Sequence, residues 1–443
     1  MNLIEKYSGA VPRYTSYPTA VQFRSCEGQD SIVNALRTLD TRAPVSVYIH
    51  VPFCHSLCHY CGCHTKIVDH TGVISSYINT LCREIECAAH YAGNRVKVSR
   101  IHFGGGSPNY APAADIEKVL ATVRQCFVVE DILQIDMECD PRLLNASKIK
   151  ELSRLGISRV SLGVQDFDER VQKAVNRVQP LQHVMQQVAC LRAHHLQNIN
   201  FDLIIGLPEQ TLETVRNTLA ETVKIRPTRI AVFPYAHVPW MKKHQKLLEK
   251  YCFPTPEERF AMQAEAETIL CGHGYIPIGI DHYALPEDTL AKAQKNGALQ
   301  RNFQGYTDDP AEIILGFGLS AISQFRSVYT QNAVDAPAYK KAVEAGKPPV
   351  AKECILDDTD ILARTAIMRI MSGLELDLSV FGNTLVAKDV LSLLQEDGLV
   401  QKEGNIISVT DKGKPFTRIV ASCFDTYFRD GHSTKERRHA QAV

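Results

Sequence analysis

Four cysteines, Cys54, Cys58, Cys61 and Cys63, fall within ten positions of one stretch, VSVYIHVPFCHSLCHYCGCHTK, directly after an apolar run. Core packing does not call for that density of thiols, and no disulfide pattern explains it. A thiolate binds metal once deprotonated, and a short loop at a strand end can aim several sulfurs at one point. A structural zinc site usually brings two Cys or His pairs a dozen or more residues apart, and only one cluster of cysteines exists here. The spacing Cys54-x3-Cys58-x2-Cys61 instead offers three thiolates to a 4Fe–4S cluster, leaving one iron open to a further ligand. The competing reading is a zinc knuckle built from all four cysteines, which would belong with zinc-dependent nucleic-acid binding.

Such a loop needs a rigid frame, and the chain supplies a pattern for one. From Val45 onward the apolar runs VSVYIHVPF, VSRIHFGGGS, DILQIDMEC, RVSLGVQ, INFDLIIGLP and RIAVFPYA read as six strands, with amphipathic helical stretches between them. That alternation predicts a parallel sheet covered by helices and closed into a partial or full barrel. Active sites in such folds lie at the C-terminal ends of the strands. The unusual polar residues all map there: the cysteines after strand one, GGGSP after strand two, Glu138 ending strand three, Gln165 after strand four, Asp202 in strand five and Tyr235-Ala236 after strand six. The glycine triplet lets backbone amides approach a ligand closely. Glu138 and Asp202 are carboxylates inside apolar runs and need partners, an internal salt bridge being the alternative to a ligand. Gln165 and Arg177 suit the ribose and carboxylate of a nucleoside cofactor. His50 lies in the strand beside the cysteines, whereas His55, His59 and His64 read as exposed loop residues.

Around this frame, residues 1–44 read as an irregular arm with one short helix near Ser31 to Thr38, because Pro12, Pro18 and Pro44 interrupt any period. The barrel is expected over 45–280, loops and short helices extending it over 281–349, and a winged-helix-like lid domain over 350–443. The helix VAKDVLSLLQEDG, where a DNA reader would sit, carries three acids and one lysine, which disfavours phosphate contact. Lys+Arg and Asp+Glu both number 49 in the 443 residues, so no global field draws nucleic acid or membrane, and an anionic substrate must meet a local basic pocket. The remaining cysteines are scattered, as reduced core residues are. No apolar run reaches the ~18 residues that span a bilayer, and MNLIEKYSGAVPRYTSYPTA lacks a secretory pattern, so a soluble cytoplasmic protein is expected.

The cysteine loop resembles that of radical S-adenosylmethionine enzymes. Further stretches, RYTSYPTA, HFGGGSP, ECDPR, SLGVQDFDERVQKAVNR, FDLIIGLPEQT, YAHVP, GIDHYALP, RNFQGYT, GLSAIS and CFDTYFR, are similar to the bacterial oxygen-independent coproporphyrinogen III oxidases nearly end to end. The resemblance implies a partial (β/α)6 barrel with Cys54, Cys58 and Cys61 on the 4Fe–4S cluster and Cys63 not binding iron. It implies two S-adenosylmethionine molecules: one on the cluster, served by Tyr48, Gly105, Glu138 and Ile322, and a second served by Tyr60, Gly106, Ser107, Gln165, Arg177, Asp202 and Ala236. Tyr48 and His50 take active-site positions. The implied reaction decarboxylates the ring A and B propionates of a tetrapyrrole to vinyl groups, with an electron donor protein as partner, no nucleic acid or membrane, and a monomeric enzyme. Arg13, Tyr14, Thr15 and Tyr17 of the arm are expected to meet the propionates, with Arg301 and His282 as the next candidates. Tyr60, Ser107 and Pro234 depart from the phenylalanine, threonine and asparagine usual in the family, and Pro234 removes a side-chain amide near the second cofactor. Two alternatives within the radical group are a haem chaperone, in which an acidic-aromatic pair rather than Gly62-Cys63 follows the third cysteine, and a methyltransferase acting on haem.

Overall fold

The six apolar runs expected as strands become, in the computed structural model, a sheet with one face in the main core and one turned to the site. The model describes residues 3–7, 9, 11–26, 28–40, 42–93, 95–381 and 386–429. Strand β1 (Val45–Val51) buries Val45, Val47, Ile49 and Val51 in the main core, while Ser46, Tyr48 and His50 alternate onto the other face. Strands β2 (Lys97–Gly105), β3 (Val128–Cys139), β4 (Arg159–Gln165), β5 (Asn198–Ile205) and β6 (Arg229–Pro234) follow in parallel and in that order. Helices α1 (Gly72–Ala92), α2 (Ala113–Cys126), α3 (Ala146–Arg154), α4 (Leu181–Ala193) and α5 (Leu212–Ile225) connect them and cover the apolar face. Helix α6 (Pro256–Gly272) starts on a capping box between Thr255 and Glu258 and is followed by left-handed Gly274, as its sequence signals predict.

At the opposite end from the cysteines, ion pairs fill the polar face. Arg100 meets Asp308 at 3.0 Å, and Asp288 receives Arg159 at 3.3 Å and Arg229 at 2.7 Å. Buried charges persist only when paired, and these pairs close the floor beneath the site.

The sheet continues beyond six strands. Strands β7 (Ile276–Ile278) and β8 (His282–Ala284) add antiparallel to β6. On the other flank β9 (Ile314–Phe317) lies parallel to β1, followed by antiparallel β10 (Ile322–Gln324), β11 (Val328–Asn332) and β12 (Val350–Ile355). The two-residue strand Arg24–Ser25 forms the edge of this 13-stranded sheet, whose far edge is β7, so the barrel is partial. The expectation of loops and short helices between Asp281 and Lys347 is thus corrected: segments such as ILGF and VYTQN are strands too short and too buried to show a period. No helix among the described residues is long and apolar enough to cross a membrane.

Past β12, helices α7 (Asp358–Met371) and α8 (Lys388–Glu396) precede β14 (Val400–Glu403) and β15 (Ile406–Val409), the expected wing, to which β13 (Leu376–Asp377) adds a third strand. Helix α9 (Thr417–Ser422) completes this core. The arm is better ordered than its prolines suggest. Tyr14 and Tyr17 are fully buried among Ile367, Ile370, Val420 and Phe424, and Tyr14 Oη donates to Asp425 at 2.9 Å. Its apolar residues are spaced to contact other elements, which no internal period would reveal.

Candidate active site

The polar face of the sheet converges on the loop that follows β1. After Val51 the backbone turns through Phe53–Cys54, which pairs in parallel with Lys66–Ile67, so the cysteine loop is closed at its base. Its span is then pinned from the far side of the barrel. Lys242 Nζ donates to Cys63 O at 2.8 Å, His244 Nε2 to Cys61 O at 2.8 Å and Gln245 Nε2 to Tyr60 O at 2.9 Å. Asn176 Nδ2 holds Leu57 O at 2.8 Å. A loop with four external backbone anchors has few conformations left to lose when it binds a ligand.

The thiols are set in different surroundings. Cys58 is buried, and its Sγ accepts from Arg177 Nη1 at 3.4 Å and Arg142 Nη2 at 3.8 Å. Both guanidinium groups also contact Asp140 Oδ2, at 3.3 Å and 2.6 Å. Cys54 Sγ accepts from Ser107 Oγ at 3.6 Å, while burial pushes its thiol up to about 11. The Cys61 thiol is lowered to about 6, chiefly by the hydrogen bond from Cys63, and Cys63 is raised by the same bond. Among the described residues no three His, Cys, Asp or Glu side chains form a closed metal-binding group. The donor set itself fits an iron–sulfur cluster: three free thiols on one anchored loop, one of them facing two guanidinium groups that stabilise a bound thiolate.

Beside this loop stands a network from β1, β2 and β3. His50 Nε2 donates to His64 O at 3.2 Å, which fixes the tautomer so that Nδ1 accepts from Tyr48 Oη at 3.0 Å. Burial lowers His50 to about 4, so the ring is neutral. Tyr48 stacks on His102 with centroids 5.8 Å apart, and His102 Nε2 reaches Glu138 Oε1 at 3.4 Å. Burial opposes charge on both, yet their mutual bond raises His102 and lowers Glu138 overall. Glu138 Oε2 also accepts from Gly105 N at 3.1 Å.

The glycines here are needed for space. A Cβ on Gly104 would stand 2.8 Å from the Tyr48 ring and one on Gly106 2.7 Å from Phe53 O, beside Cys54. Farther along the rim, Gln165 ends β4 at φ 68, a left-handed conformation that non-glycine residues adopt sparingly and often at functional positions. Asp202 accepts from Ser161 Oγ at 2.7 Å and Asn200 Nδ2 at 2.8 Å, so its partners are neutral hydrogen bonds and not a salt bridge. Ala236 O accepts from Gln245 at 3.3 Å, the residue that also holds Tyr60 O. Ile322 opens β10 just past the Gly318–Ala321 turn at the same rim.

Tyr48, His50, Gly105 and Glu138 therefore form one connected group with the cysteine loop. Ser107 and Arg177, expected at the second nucleoside, bond directly to Cys54 and Cys58. Sequence reasoning missed His102, Asp140, Arg142, Lys242, His244 and Gln245. The signal for His102 was available, since it lies two residues before Gly104 on the same strand face. The others act across long sequence distances.

A partial parallel barrel with a thiol loop at its strand ends defines a radical S-adenosylmethionine enzyme, and the model of the radical SAM superfamily matches residues 48–221. Oxygen-independent coproporphyrinogen III oxidases from Synechocystis sp. and Escherichia coli are 35% and 36% identical to the chain, covering 100% and 96% of it and 97% and 95% of their own lengths. The solved structure of the Escherichia coli coproporphyrinogen III oxidase, described as a radical SAM enzyme, superposes with a TM-score of 0.89 at 34% identity, over 94% of this chain and 97% of that one. The chain belongs to the oxygen-independent coproporphyrinogen III oxidase family. Membership brings with it a 4Fe–4S cluster and S-adenosylmethionine.

Proposed function

We propose that this enzyme converts coproporphyrinogen III to protoporphyrinogen IX, replacing the ring A and B propionates by vinyl groups, with two S-adenosylmethionine molecules at the rim. The observation that carries the reading is the extent of the similarity: relatives of that name match 96% to 100% of the chain, arm and C-terminal domain included. The haem-chaperone and methyltransferase alternatives have no comparable support.

Cys54, Cys58 and Cys61 would hold the cluster. When bound, it and S-adenosylmethionine supply a 5′-deoxyadenosyl radical able to abstract an unactivated hydrogen. Each propionate loses one hydrogen atom, carbon dioxide and one further electron, so no side-chain base is required for the carbon–carbon bond to break. The chain's own contribution is position and seclusion. Glu138 and the Gly105 amide form an acceptor–donor pair that can orient an amino acid head group, and Asp202 offers a carboxylate to ribose hydroxyls. Neutral His50 keeps Tyr48 Oη directed along the inner face. An electron donor protein serves as partner to a monomeric, cytoplasmic enzyme that binds neither nucleic acid nor membrane.

Anaerobic turnover with coproporphyrinogen III and product analysis by mass spectrometry tests the reading, with protoporphyrinogen IX expected. A methylated tetrapyrrole in its place would refute it. Equilibrium dialysis of the reconstituted enzyme is expected to give two bound S-adenosylmethionine per chain, and one would remove the second site.

A further inference from the structure

Between β6 and α6 the chain presents an exposed basic face beside the cysteine loop. Residues 237–251, HVPWMKKHQKLLEKY, hold four lysines against one glutamate, in a chain whose formal net charge is zero. Glu249 is already engaged, its Oε1 lying 3.6 Å from His237 Nε2. The stretch winds into a 3-10 helix, Lys243–Leu248, in which residues three apart stand one above the other. Gln245 and Leu248 form its buried row, Leu248 packing in one cluster with Val171, Val175 and Tyr235. Lys243 and Lys246 form an exposed row, and Met241 and Leu247 beside them are 70% and 51% exposed.

The same segment is bonded to the site. Lys242 Nζ, His244 Nε2 and Gln245 Nε2 hold the carbonyls of Cys63, Cys61 and Tyr60 at 2.8 Å, 2.8 Å and 2.9 Å. Gly62 and Cys63 are exposed there, so the cysteine loop reaches the surface next to the lysines, at its third expected cluster ligand. Reductive cleavage of S-adenosylmethionine takes one electron, which breaks the sulfonium S–C5′ bond and leaves methionine and the 5′-deoxyadenosyl radical. A one-electron donor therefore has to reach this loop.

Resting on the functional reading above, we infer that the Lys243–Leu248 helix, with Met241 before it, is the docking face for an acidic one-electron carrier protein. The carrier gives up one electron at the cysteine loop and leaves oxidised by one electron. Complementary charge steers such a partner and fixes its orientation, while exposed apolar side chains between the lysines supply contact area. Redox encounters bury less than about 1,200 Å² and draw their rate from charge, so a patch this small suits a partner that must depart after each electron. An anionic lipid surface would meet the same lysines, but it delivers no electron and would cover the loop that the carrier has to reach.

The test uses the anaerobically reconstituted enzyme and two acidic carriers, a flavodoxin and a plant-type 2Fe–2S ferredoxin, titrated by calorimetry at low and at physiological ionic strength. The tighter of the two identifies the carrier class. Lys243→Glu combined with Lys246→Glu is expected to weaken that carrier about tenfold or more at low salt and to remove most of the salt dependence, whereas the paired arginine substitutions keep both. Met241→Ser combined with Leu247→Ser should give a smaller loss that salt does not change. Carrier-driven cleavage of S-adenosylmethionine should slow with the charge reversal, while iron content and cleavage driven by photoreduced 5-deazariboflavin, a small uncharged reductant, stay at wild-type levels. Unchanged carrier affinity after charge reversal, no binding of either carrier to wild type, or equal slowing with both reductants overturns the docking face. So does loss of sedimentation with phosphatidylserine vesicles while carrier affinity is intact, which would make the face a lipid contact. A wild type that takes electrons from a carrier through this face and makes no protoporphyrinogen IX overturns the functional reading and leaves the docking face standing.

Discussion

Replacing Glu84 by glutamine should remove a pH dependence of stability that is legible in the geometry. Glu84 lies on α1 in the core, its carboxylate accepting from Gly318 N at 2.8 Å, Asn332 Nδ2 at 2.6 Å and Tyr339 Oη at 2.5 Å. Burial outweighs these bonds and raises the carboxyl from 4.5 to about 7. A group with a raised folded pKa stabilises the fold fully below its unfolded pKa, and that stability is lost as pH rises through the folded one. The shift corresponds to about 3 kcal/mol in all, of which roughly 2 kcal/mol falls between about pH 5.5 and pH 8. A glutamine presents an amide to three donors, so Glu84→Gln should be less stable by about 1–3 kcal/mol at the acid end and flat where wild type declines. Urea unfolding of both proteins across that range, compared pairwise to cancel other titrations, measures the difference. Parallel profiles would refute the argument. The network also reaches the site, because Tyr77 Oη donates to His50 O at 2.7 Å and accepts from Leu319 N at 3.0 Å.

Cys54→Ser, Cys58→Ser and Cys61→Ser should each give colourless protein, whereas Cys63→Ser should retain about four irons per chain by iron assay; the reverse pattern for Cys54 and Cys63 would reassign the ligands. Gly106→Ala forces a Cβ to 2.7 Å from Phe53 O, and the resulting shift of Cys54 should reduce cluster occupancy and stability together, the latter by about 1–3 kcal/mol in thermal melts. Removing residues before Ala43 should abolish decarboxylation, and because Tyr14 and Tyr17 complete the C-terminal core it should also expose apolar surface, read as dye binding and a lower melting temperature.

The barrel and its cysteine loop were legible because their signals are local: spacing within a loop, short apolar runs alternating with helical stretches and a glycine triplet at a strand end. Pairings across the chain were not. Arg142 and Arg177 lie in different connections, and nothing in ECDPR or AVNR says that both turn onto Cys58. The strands of the 281–349 stretch are only three to five residues long, too short for an alternation to mark them, and Ile314–Phe317 is buried throughout. The arm's tyrosines were assigned to the substrate, while the structure buries Tyr14 and Tyr17 in the C-terminal core and leaves Arg13 at the mouth.

The bond between Tyr14 and Asp425 joins residues 411 positions apart, and it has a consequence for biosynthesis. At about 5–20 residues per second, roughly 20 to 80 s separate the emergence of the arm from that of its last partner. During that interval the barrel can fold domain-wise while the arm's two tyrosines stay exposed and available to chaperones. The mouth of the enzyme is thus the last part to become competent, and a polypeptide released early would carry the complete cysteine loop without the means to close over it.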